Sequence, residues 1–474
     1  MEFSRVRSRR VLPTAIALAL AIPTGTHAAT VTVNSADDVA ASTFCNLRDA
    51  LASIDNGNTA STPTCASTTT GAFRSNDSIA FDASLVDAKI TLTQGSLSVG
   101  FLREVTIAGS GQTIDAAGQS RVLQLSQYAR VTASNLKFTG GKALYGGGID
   151  VSWYAGLTLN NCTVSNNTAD HGGGISVSPF AGLALNGSTV SVNTANGAGG
   201  GIYAKGLLTL NTSTISNNTS NCPSNNSCGG GIHVEGGPLS IVTVLDSTIA
   251  GNTVYGSGGH LAGGVYLRNS YGTFINSTIT ANSAQGDDYL SGGLWQVGRL
   301  VTLINSTLVS NHASRYAGGT HVSGGVASGV MPYGGTGKLT LANTIVSGNF
   351  GNVPANSDVL IGADTTTVNT HYNLFGSTLN RTPFNAAANH NLFNDTLGLG
   401  PLQNNGGPTL TMAPAPTSPA HGAGSVALAV YSGAPINYDQ RGFAYPRTID
   451  HSIDIGAFQY QGDRIFADGL EPKP

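Results

Sequence analysis

A nine-residue motif recurs along most of the chain, at steps of 25 to 37 residues. It consists of a small polar residue, a threonine, a large apolar residue and, three positions later, an asparagine. The clear copies are NCTVSNNTA at 161, GSTVSVNTA at 187, TSTISNNTS at 212, DSTIAGNTV at 246, NSTITANSA at 276 and NSTLVSNHA at 305, with looser copies at 135 and 342. Repeats of this length indicate a solenoid or a propeller, because one unit is too small to bury a core alone.

Each repeat carries three short strand signals. A glycine cluster with an apolar residue, such as GGGISV, is followed by an alternating run, such as LTLN, and then by the motif itself. Three strands of about four residues per turn predict an all-β, parallel β-helix of about ten coils over residues 79–376. A propeller blade needs about 40 residues and its Trp-Asp signature, which the chain lacks, and leucine-rich repeats would show denser leucines at a shorter period.

The motif also predicts which side chains point into the solenoid. In NSTI at 276, strand alternation sends Ser277 and Ile279 inward and Thr278 outward. The equivalent serines would stack from coil to coil, with Cys162 in the same slot. The asparagine at the following bend would satisfy buried turn backbone of its own and neighbouring coils. The predicted asparagine ladder comprises Asn167, Asn193, Asn218, Asn252, Asn282 and Asn311.

The N-terminus resembles a secretory signal peptide. Four arginines within the first ten residues precede the apolar run at 11–23 and small residues, which predicts removal of residues 1–28. Loss of four arginines and one glutamate takes the formal charge from −3 to −6. The composition does not suggest nucleic-acid binding. No later segment has the roughly 20 apolar residues of a membrane-spanning helix, so we expect a secreted or surface-held protein.

Four of the five cysteines form two candidate disulfide pairs in this exported chain. Cys222 and Cys228 close the short loop SNCPSNNSC, and Cys45 and Cys65 would staple the N-terminal region. One sequence does not decide connectivity, so other pairings stay open. Cys162 is then left over as a buried free thiol. The spacing of cysteines and histidines predicts no metal site, and no cofactor is expected.

The two ends of the chain resemble known exported proteins. VTVNSADD, CNLRDAL at 45–51 and NDSIAFD are similar to the N-terminal region named for a Cys-Ser-Leu-Arg-Glu-Ala motif. GPLQNNGGPTLTM, DQRGFAYPR and DIGAF resemble the choice-of-anchor type Q domain, and the coils resemble those of polymorphic outer membrane proteins. The resemblance implies a right-handed, pectate-lyase-like solenoid that is secreted or associated with the outer membrane of a Gram-negative bacterium.

These features divide the chain into five parts. Residues 29–78 are expected to form an N-terminal cap with a short helix near 46–55, which Asn46 would cap. Residues 377–460 would form a C-terminal closing or anchor-type region, and 461–474 a short tail. The sequence does not say how the protein would be attached to a surface.

Two outward stripes on the glycine-cluster strands are the candidate ligand-binding residues. Because equivalent positions lie about 4.8 Å apart on successive coils, one stripe is rich in aromatic and imidazole rings and its neighbour carries charges. The candidate residues are Tyr203, His233, Tyr266, Trp295 and His321 in the first stripe, and Lys205, Glu235 and Arg268 in the second.

The stripes support two interpretations. In the first they bind a glycan, with rings stacking on sugars and charges contacting uronate or hydroxyl groups. In the second they are ordinary outward residues whose charges pair across coils. The predicted function is a secreted or surface module for adhesion, recognition or structure, with a polysaccharide or a cell-surface partner. The alternative is a polysaccharide lyase or glycoside hydrolase, disfavoured because Asp150 and Glu235 lie three coils or about 14 Å apart, beyond the separation that hydrolysis requires.

Overall fold

The chain folds into an all-β parallel solenoid of about nine turns. The computed structural model describes residues 28–39, 42–236, 240–316, 326–333, 337–351, 357–359, 367–376 and 384–462. Each complete coil contributes a strand to each of several parallel sheets, and neighbouring strands come from successive coils. The predicted fold class is confirmed, with about nine turns where the sequence suggested about ten.

Sheet 1 contains the alternating runs and has 13 strands. In spatial order they are Thr69–Thr70, Thr30–Val33, Asn76–Phe81, Glu104–Ala108, Arg130–Ser134, Gly156–Asn160, Gly182–Asn186, Leu207–Asn211, Ile241–Leu245, Tyr271–Ile275, Leu300–Ile304, Lys338–Ala342 and Thr367–His371. Only the first pair is antiparallel. Inward apolar residues alternate with outward polar ones, which is the pattern expected of a sheet with one face on the core.

Sheet 2 contains the repeated motif and has 12 strands. They are Lys89–Thr91, Thr113–Asp115, Lys137–Thr139, Thr163–Ser165, Thr189–Ser191, Thr214–Ser216, Thr248–Ala250, Thr278–Thr280, Thr307–Val309, Ile345–Ser347, Leu374–Phe375 and Leu392–Phe393. Its register aligns the marker residues, for example Val190 with Ile215 and Ile215 with Ile249. The period found in the sequence is therefore the period of the coils.

Sheets 3 and 4 complete the coil. Sheet 3 has eight strands: Lys142–Tyr145, Thr168–His171, Thr194–Ala195, Thr219–Asn221, Thr253–Tyr255, Ser283–Gly286, His312–Arg315 and Phe350–Gly351. Sheet 4 carries the glycine-cluster strands Leu97–Val99, Leu123–Leu125, Ile149–Val151, Ile175–Val177, Ile202–Ala204, Ile232–Glu235, Val265–Arg268 and Leu294–Val297. It continues through Val326–Tyr333 into Cys228–Gly229, His260–Ala262, Tyr289–Ser291 and Ser357–Val359.

The predicted capping helix is present at Leu47–Asn56. The Asn46 side chain accepts a hydrogen bond from the backbone N–H of Asp49, and Leu51 and Ile54 are buried against the solenoid. This apolar face covers the first coil. The Cys45–Cys65 disulfide anchors the start of the helix, as the sequence suggested.

The inward serines form a continuous hydrogen-bonded ladder. The backbone N–H of each one donates to the hydroxyl of the next coil, as from Ser188 to Ser213 at 3.1 Å and from Ser213 to Ser247 at 3.0 Å. Cys162 takes the same slot, and its N–H donates to Ser188 Oγ. Its thiol is free and buried, and burial raises its pKa to about 11, so it is protonated and unreactive at neutral pH.

The asparagine ladder is also as predicted. Asn193 Oδ1 accepts hydrogen bonds from both the backbone N–H and the side-chain amide of Asn167, each at 3.0 Å. The same pair of bonds joins each asparagine to the next up to Asn349, whose own amides donate to the carboxylate of Asp358. The ladder satisfies bend backbone that would otherwise be buried without partners.

The outward threonines of the later coils of sheet 2, Thr248, Thr278 and Thr307, are buried, which strand alternation alone does not predict. The C-terminal segment, residues 399–460, lies along the outer face of this sheet. The Thr248 hydroxyl donates to Leu410 O at 2.7 Å, and the Thr278 hydroxyl donates to Gln440 Oε1 at 2.6 Å. This segment is mostly irregular, with one short hairpin at Val430–Tyr431 and Ala434–Pro435. The C-terminal segment therefore covers the side of the solenoid. The strand Leu392–Phe393, which precedes it, pairs with Leu374–Phe375 and is the last strand of sheet 2.

One carboxylate beneath this segment makes stability depend on pH. Burial raises the pKa of Asp246 to about 6, despite a hydrogen bond from Asn276. Since this exceeds the unfolded value, the folded protein holds the proton more tightly. The stability contribution of Asp246 therefore falls as the pH rises from about 4 to about 6, and stays low above that range.

We expect Asp246→Asn to raise the free energy of unfolding at pH 7 by about 2 kcal/mol. The amide removes the buried charge and keeps an acceptor for Asn276, and asparagine tolerates the left-handed backbone at this position. Urea unfolding of both proteins at pH 7 and pH 4 measures the effect. The difference should vanish at pH 4, and equal stabilities at pH 7 would contradict the prediction.

Candidate functional site

The two predicted stripes lie in register on sheet 4. Tyr203, His233, Tyr266 and Trp295 pair in sequence on four successive strands. Glu235 pairs with Arg268, and Arg268 with Val297. Lys205 directly follows the strand Ile202–Ala204, one coil before the coil that carries Glu235. His321 lies outside the described residues.

The rings stack on one another instead of facing solvent. Ring centroids lie 5.4 Å apart for Tyr203 and His233 and 4.8 Å apart for His233 and Tyr266, with planes within 24° and 15° of parallel. The stack continues through His171 and Tyr145, with centroid separations of 5.2 Å at each step. Because neighbouring rings cover one another's faces, these side chains present edges to a ligand. The expectation that they offer flat platforms for sugars is therefore wrong for the inner rings.

Trp295 is not accessible at all. Its side chain is fully buried, with Tyr266 only 1% exposed beside it. The His260 ring stacks on Trp295 at 4.8 Å, and the Tyr289 ring packs edge-on at 5.9 Å. Both come from the short strands that widen sheet 4 in these coils. Sequence alternation placed Trp295 on an outer face, but those strands cover that face.

The charged stripe forms a hydrogen-bonded group at the edge of the ring stack. Glu235 Oε2 accepts from the Tyr203 hydroxyl at 3.3 Å, and Glu235 Oε1 accepts from Arg268 Nη1 at 3.1 Å. The Lys205 ammonium lies 5.5 Å from the centre of the Tyr203 ring and makes no ion pair with any described residue. Glu235 and Arg268 thus pair across coils, and the Lys205 ammonium remains available to a ligand.

The disulfide loop makes this group one side of a cleft. The Cys222–Cys228 bond is formed, and the loop is attached to the next coil by backbone hydrogen bonds from Cys222 to Tyr255 O at 2.7 Å and from Asn225 to Ser257 O at 2.8 Å. The cleft has a volume of about 270 Å³. Its lining includes loop residues 225–228 together with His171, Tyr203, His233, Glu235, Tyr266 and Arg268.

Burial sets the protonation state of the cleft. Burial, followed by the charges of His171, Lys205 and Arg268, lowers the pKa of His233 to about 3. The imidazole is therefore neutral at physiological pH, and its Nδ1 has no hydrogen-bond partner among the described residues. Burial and the Glu235 carboxylate raise the pKa of Tyr203, so its hydroxyl stays protonated and acts as a donor.

A second cleft continues the first across earlier coils. It has a volume of about 300 Å³ and shares Tyr203 with the first cleft. Lys205, Asp150, Trp153 and Arg121 also line it. The two clefts adjoin at Tyr203. We call them together the sheet 4 groove; its lining residues lie on five successive rungs, from Asp150 to Tyr266.

Several groove residues were missed in the sequence. Tyr145 and His171 end sheet 3 strands and align with each other. Their shared position in the period is visible in the sequence. The coil then bends at the glycine cluster and brings Tyr145 and His171 beside Tyr203. This bend depends on glycine, because Gly147 and Gly173 pack backbone against backbone and leave no room for a Cβ.

The two carboxylates that line the groove, Glu235 and Asp150, lie far apart. Glu235 is the one carboxylate that lines the first cleft, and both its oxygens are engaged. Asp150 belongs to a rung three coils away, about 14 Å by coil spacing, so the pair exceeds the separation used by glycosidases. No group of three or more metal-ligating side chains occurs within the described ranges.

Comparisons with known proteins do not assign the chain to a family. No family model matches it and no curated protein matches it, so the resemblances of its two ends stay predictions. No helix in the described part of the chain is long and apolar enough to cross a membrane. Among solved structures, that of pectate lyase Pel9A is similar at 13% identity and a TM-score of 0.42, over 92% of this chain and 98% of that one. A likeness this distant says nothing about activity.

Proposed function

We propose that this protein is an exported recognition module that binds a polysaccharide chain along the sheet 4 groove. The observation that carries the proposal is that two adjoining clefts are lined by five successive rungs, which span roughly 19 Å at the coil spacing. An extended polymer matches a groove of this shape better than a compact ligand does. Signal-peptide-like residues at the N-terminus and two disulfides support an extracellular site of action.

The groove offers hydrogen bonds and charges to such a chain. The Lys205 ammonium, which has no ion pair with a described residue, serves as a donor to hydroxyl or carboxylate oxygens. Glu235 and Arg268 present both signs of charge beside the neutral imidazole of His233. Polar and charged groups placed in this way give specificity, because a ligand that leaves them unsatisfied loses affinity.

Glycan-array screening of the mature protein, followed by calorimetry, tests the proposal. We expect Lys205→Ala and Glu235→Gln each to weaken binding of the best ligand by about tenfold or more, since each removes a charged hydrogen bond. Lys137→Ala provides the control, because Lys137 is exposed on sheet 2, away from the groove.

The same samples distinguish binding from turnover. Release of reducing ends or of unsaturated products, abolished by Glu235→Gln or Arg268→Ala, would identify a polysaccharide hydrolase or lyase and would overturn the proposal. Absence of glycan binding would leave a structural or protein-binding role.

A further inference from the structure

Four successive coils place a bulky side chain where the backbone favours glycine. The turns that connect sheet 4 to sheet 1 are closed by backbone hydrogen bonds, such as Ala129 N–H to Ser126 O and Ala155 N–H to Ser152 O, both at 3.0 Å. The third residue of each turn has a φ of 60° to 62°. These four residues are Leu102, Tyr128, Tyr154 and Phe180.

This conformation is unfavourable for such residues. A left-handed backbone costs a non-glycine residue roughly 1–2 kcal/mol, and glycine or asparagine normally occupies this turn position. The chain uses asparagine at other left-handed positions, including Asn135 and Asn161. Among the described residues Val192 and Tyr372 also have a positive φ, but each stands alone at its position in the period, whereas the four turns carry bulky apolar residues on successive coils.

The side chains are also exposed. With Phe101 and Trp153, which precede two of them, they form what we call the aromatic row. Exposed fractions in the row run from 40% for Tyr154 to 63% for Leu102. Stacking offsets part of the backbone cost, because the Tyr128, Tyr154 and Phe180 rings lie 5.0 and 5.1 Å apart and within 6° of parallel. It does not explain why the row faces water.

The shape of the aromatic row limits the kind of partner that can bind to it. Since the stacked faces of Tyr154 are closed, a sugar ring has no platform there, and the row offers aromatic edges and tyrosine hydroxyls instead. The row lies on a convex corner between the sheet 4 groove and a shallow trough of about 360 Å³ on sheet 1. A rigid protein partner would need a complementary furrow, whereas a lipid interface adapts to a ridge.

The surrounding charge points to an anionic surface. None of the turns at 100–103, 126–129, 152–155, 178–181 and 205–207 contains an acidic residue, although the Asp55 carboxylate accepts from the backbone N–H of Gly100 in the first of them. Arg130 lies two residues after Tyr128 and makes no described ion pair, although Glu104 pairs with it in register, and Lys205 lies in the fifth turn. Tyrosine and tryptophan with nearby cations are typical of contacts with the membrane–water interface.

We propose that the aromatic row docks onto the interfacial region of an anionic lipid bilayer, with the solenoid axis parallel to the membrane plane. This surface adjoins the sheet 4 groove, whose second cleft is also lined by Trp153 and Lys205, but the proposal does not depend on the function proposed for the groove. Docking would hold the groove and the trough at the level of the lipid headgroups, on either side of the row.

Vesicle binding tests the proposal with the full mature chain. The vesicles contain phosphatidylethanolamine with a minority of phosphatidylglycerol, and binding is measured by sedimentation. We expect the triple variant Tyr128→Asn, Tyr154→Asn and Phe180→Asn to lose at least about tenfold in partition coefficient, because three interfacial rings are removed. Asparagine suits the left-handed backbone, and an unchanged melting temperature shows that the variant folds. The control is Tyr438→Asn with Phe443→Asn, two exposed aromatics elsewhere.

Intrinsic fluorescence gives a second, independent readout. The chain has two tryptophans, of which Trp295 is fully buried and Trp153 is 48% exposed in the row. We expect vesicles to shift the emission to the blue and brominated lipid to quench it, and we expect Trp153→Phe to abolish both changes. Vesicle binding that the triple variant retains, or emission that lipid does not alter, would overturn the proposal. So would self-association in place of vesicle binding, if the triple variant abolishes it.

Discussion

Asn252→Ala should destabilise the solenoid by about 3–5 kcal/mol. Asn252 is fully buried, and its Oδ1 accepts from both the backbone and the side-chain amide of Asn218, at 3.1 and 2.9 Å. Its own amide donates to Ile215 O and to Asn282 Oδ1, each at 2.9 Å. Alanine would remove bonds from two donors of Asn218 and from the acceptors Ile215 O and Asn282 Oδ1, on the two flanking coils, and each buried group left without a partner costs about 1–3 kcal/mol.

Equilibrium unfolding in guanidinium, monitored by circular dichroism, measures this loss. Asn196→Ala is the matched control, because Asn196 is an exposed asparagine of the neighbouring bend region with one weak side-chain contact to Asp170 at 3.3 Å. We expect the control to change the free energy of unfolding by less than about 0.5 kcal/mol. If Asn252→Ala costs no more than the control, the ladder does not stabilise the coils as described.

Asp439→Ala should release the C-terminal segment from the side of the solenoid. The Asp439 carboxylate is fully buried and pairs with Arg441 Nη2 at 2.7 Å, while also accepting from the backbone N–H of Gln459. The Arg441 guanidinium is held between the rings of Tyr445 and Phe458, 3.8 and 3.6 Å from their centres. Removing the carboxylate leaves an uncompensated buried cation, which typically costs 3–5 kcal/mol.

Limited proteolysis checks this prediction, since release of the segment exposes sites after residue 399 while the coils stay resistant. Asp439→Asn combined with Arg441→Met is the companion variant. It removes both charges, keeps an acceptor for Gln459 and packs a thioether against the two rings, so at least half of the lost protection should return. Equal protease sensitivity of Asp439→Ala and the unmodified protein would contradict the prediction.

The coils themselves were predictable because their information is local and repeated. Strand alternation and the 25-to-37-residue period were enough to align Ser213 with Ser247 and Asn218 with Asn252, and both ladders have the predicted hydrogen bonds. Both ladder predictions depend on a residue and its equivalent one coil away. The two disulfides join the candidate pairs, although the sequence left other pairings open.

The candidate site was predictable only in part. Alternation correctly placed Tyr203, His233 and Glu235 on the outer side of their strands, but it could not show which outer positions are covered. Trp295 is covered by strands inserted in the later coils, and Thr278 by a segment about 160 residues further along the chain. Contacts at such separations leave no periodic mark in the sequence.

The sequence by itself determined the coil, its inward ladders and the side of each strand on which a residue lies, because these follow from backbone periodicity and repeat. The tertiary structure alone decided exposure. It closed the faces of the stacked rings, built the cleft by bringing the Cys222–Cys228 loop against Glu235 and Arg268, and left the aromatic row in the open. The exposure of a residue depends on which distant segments pack over its side of the strand, and the residue pattern within one coil does not predict those segments.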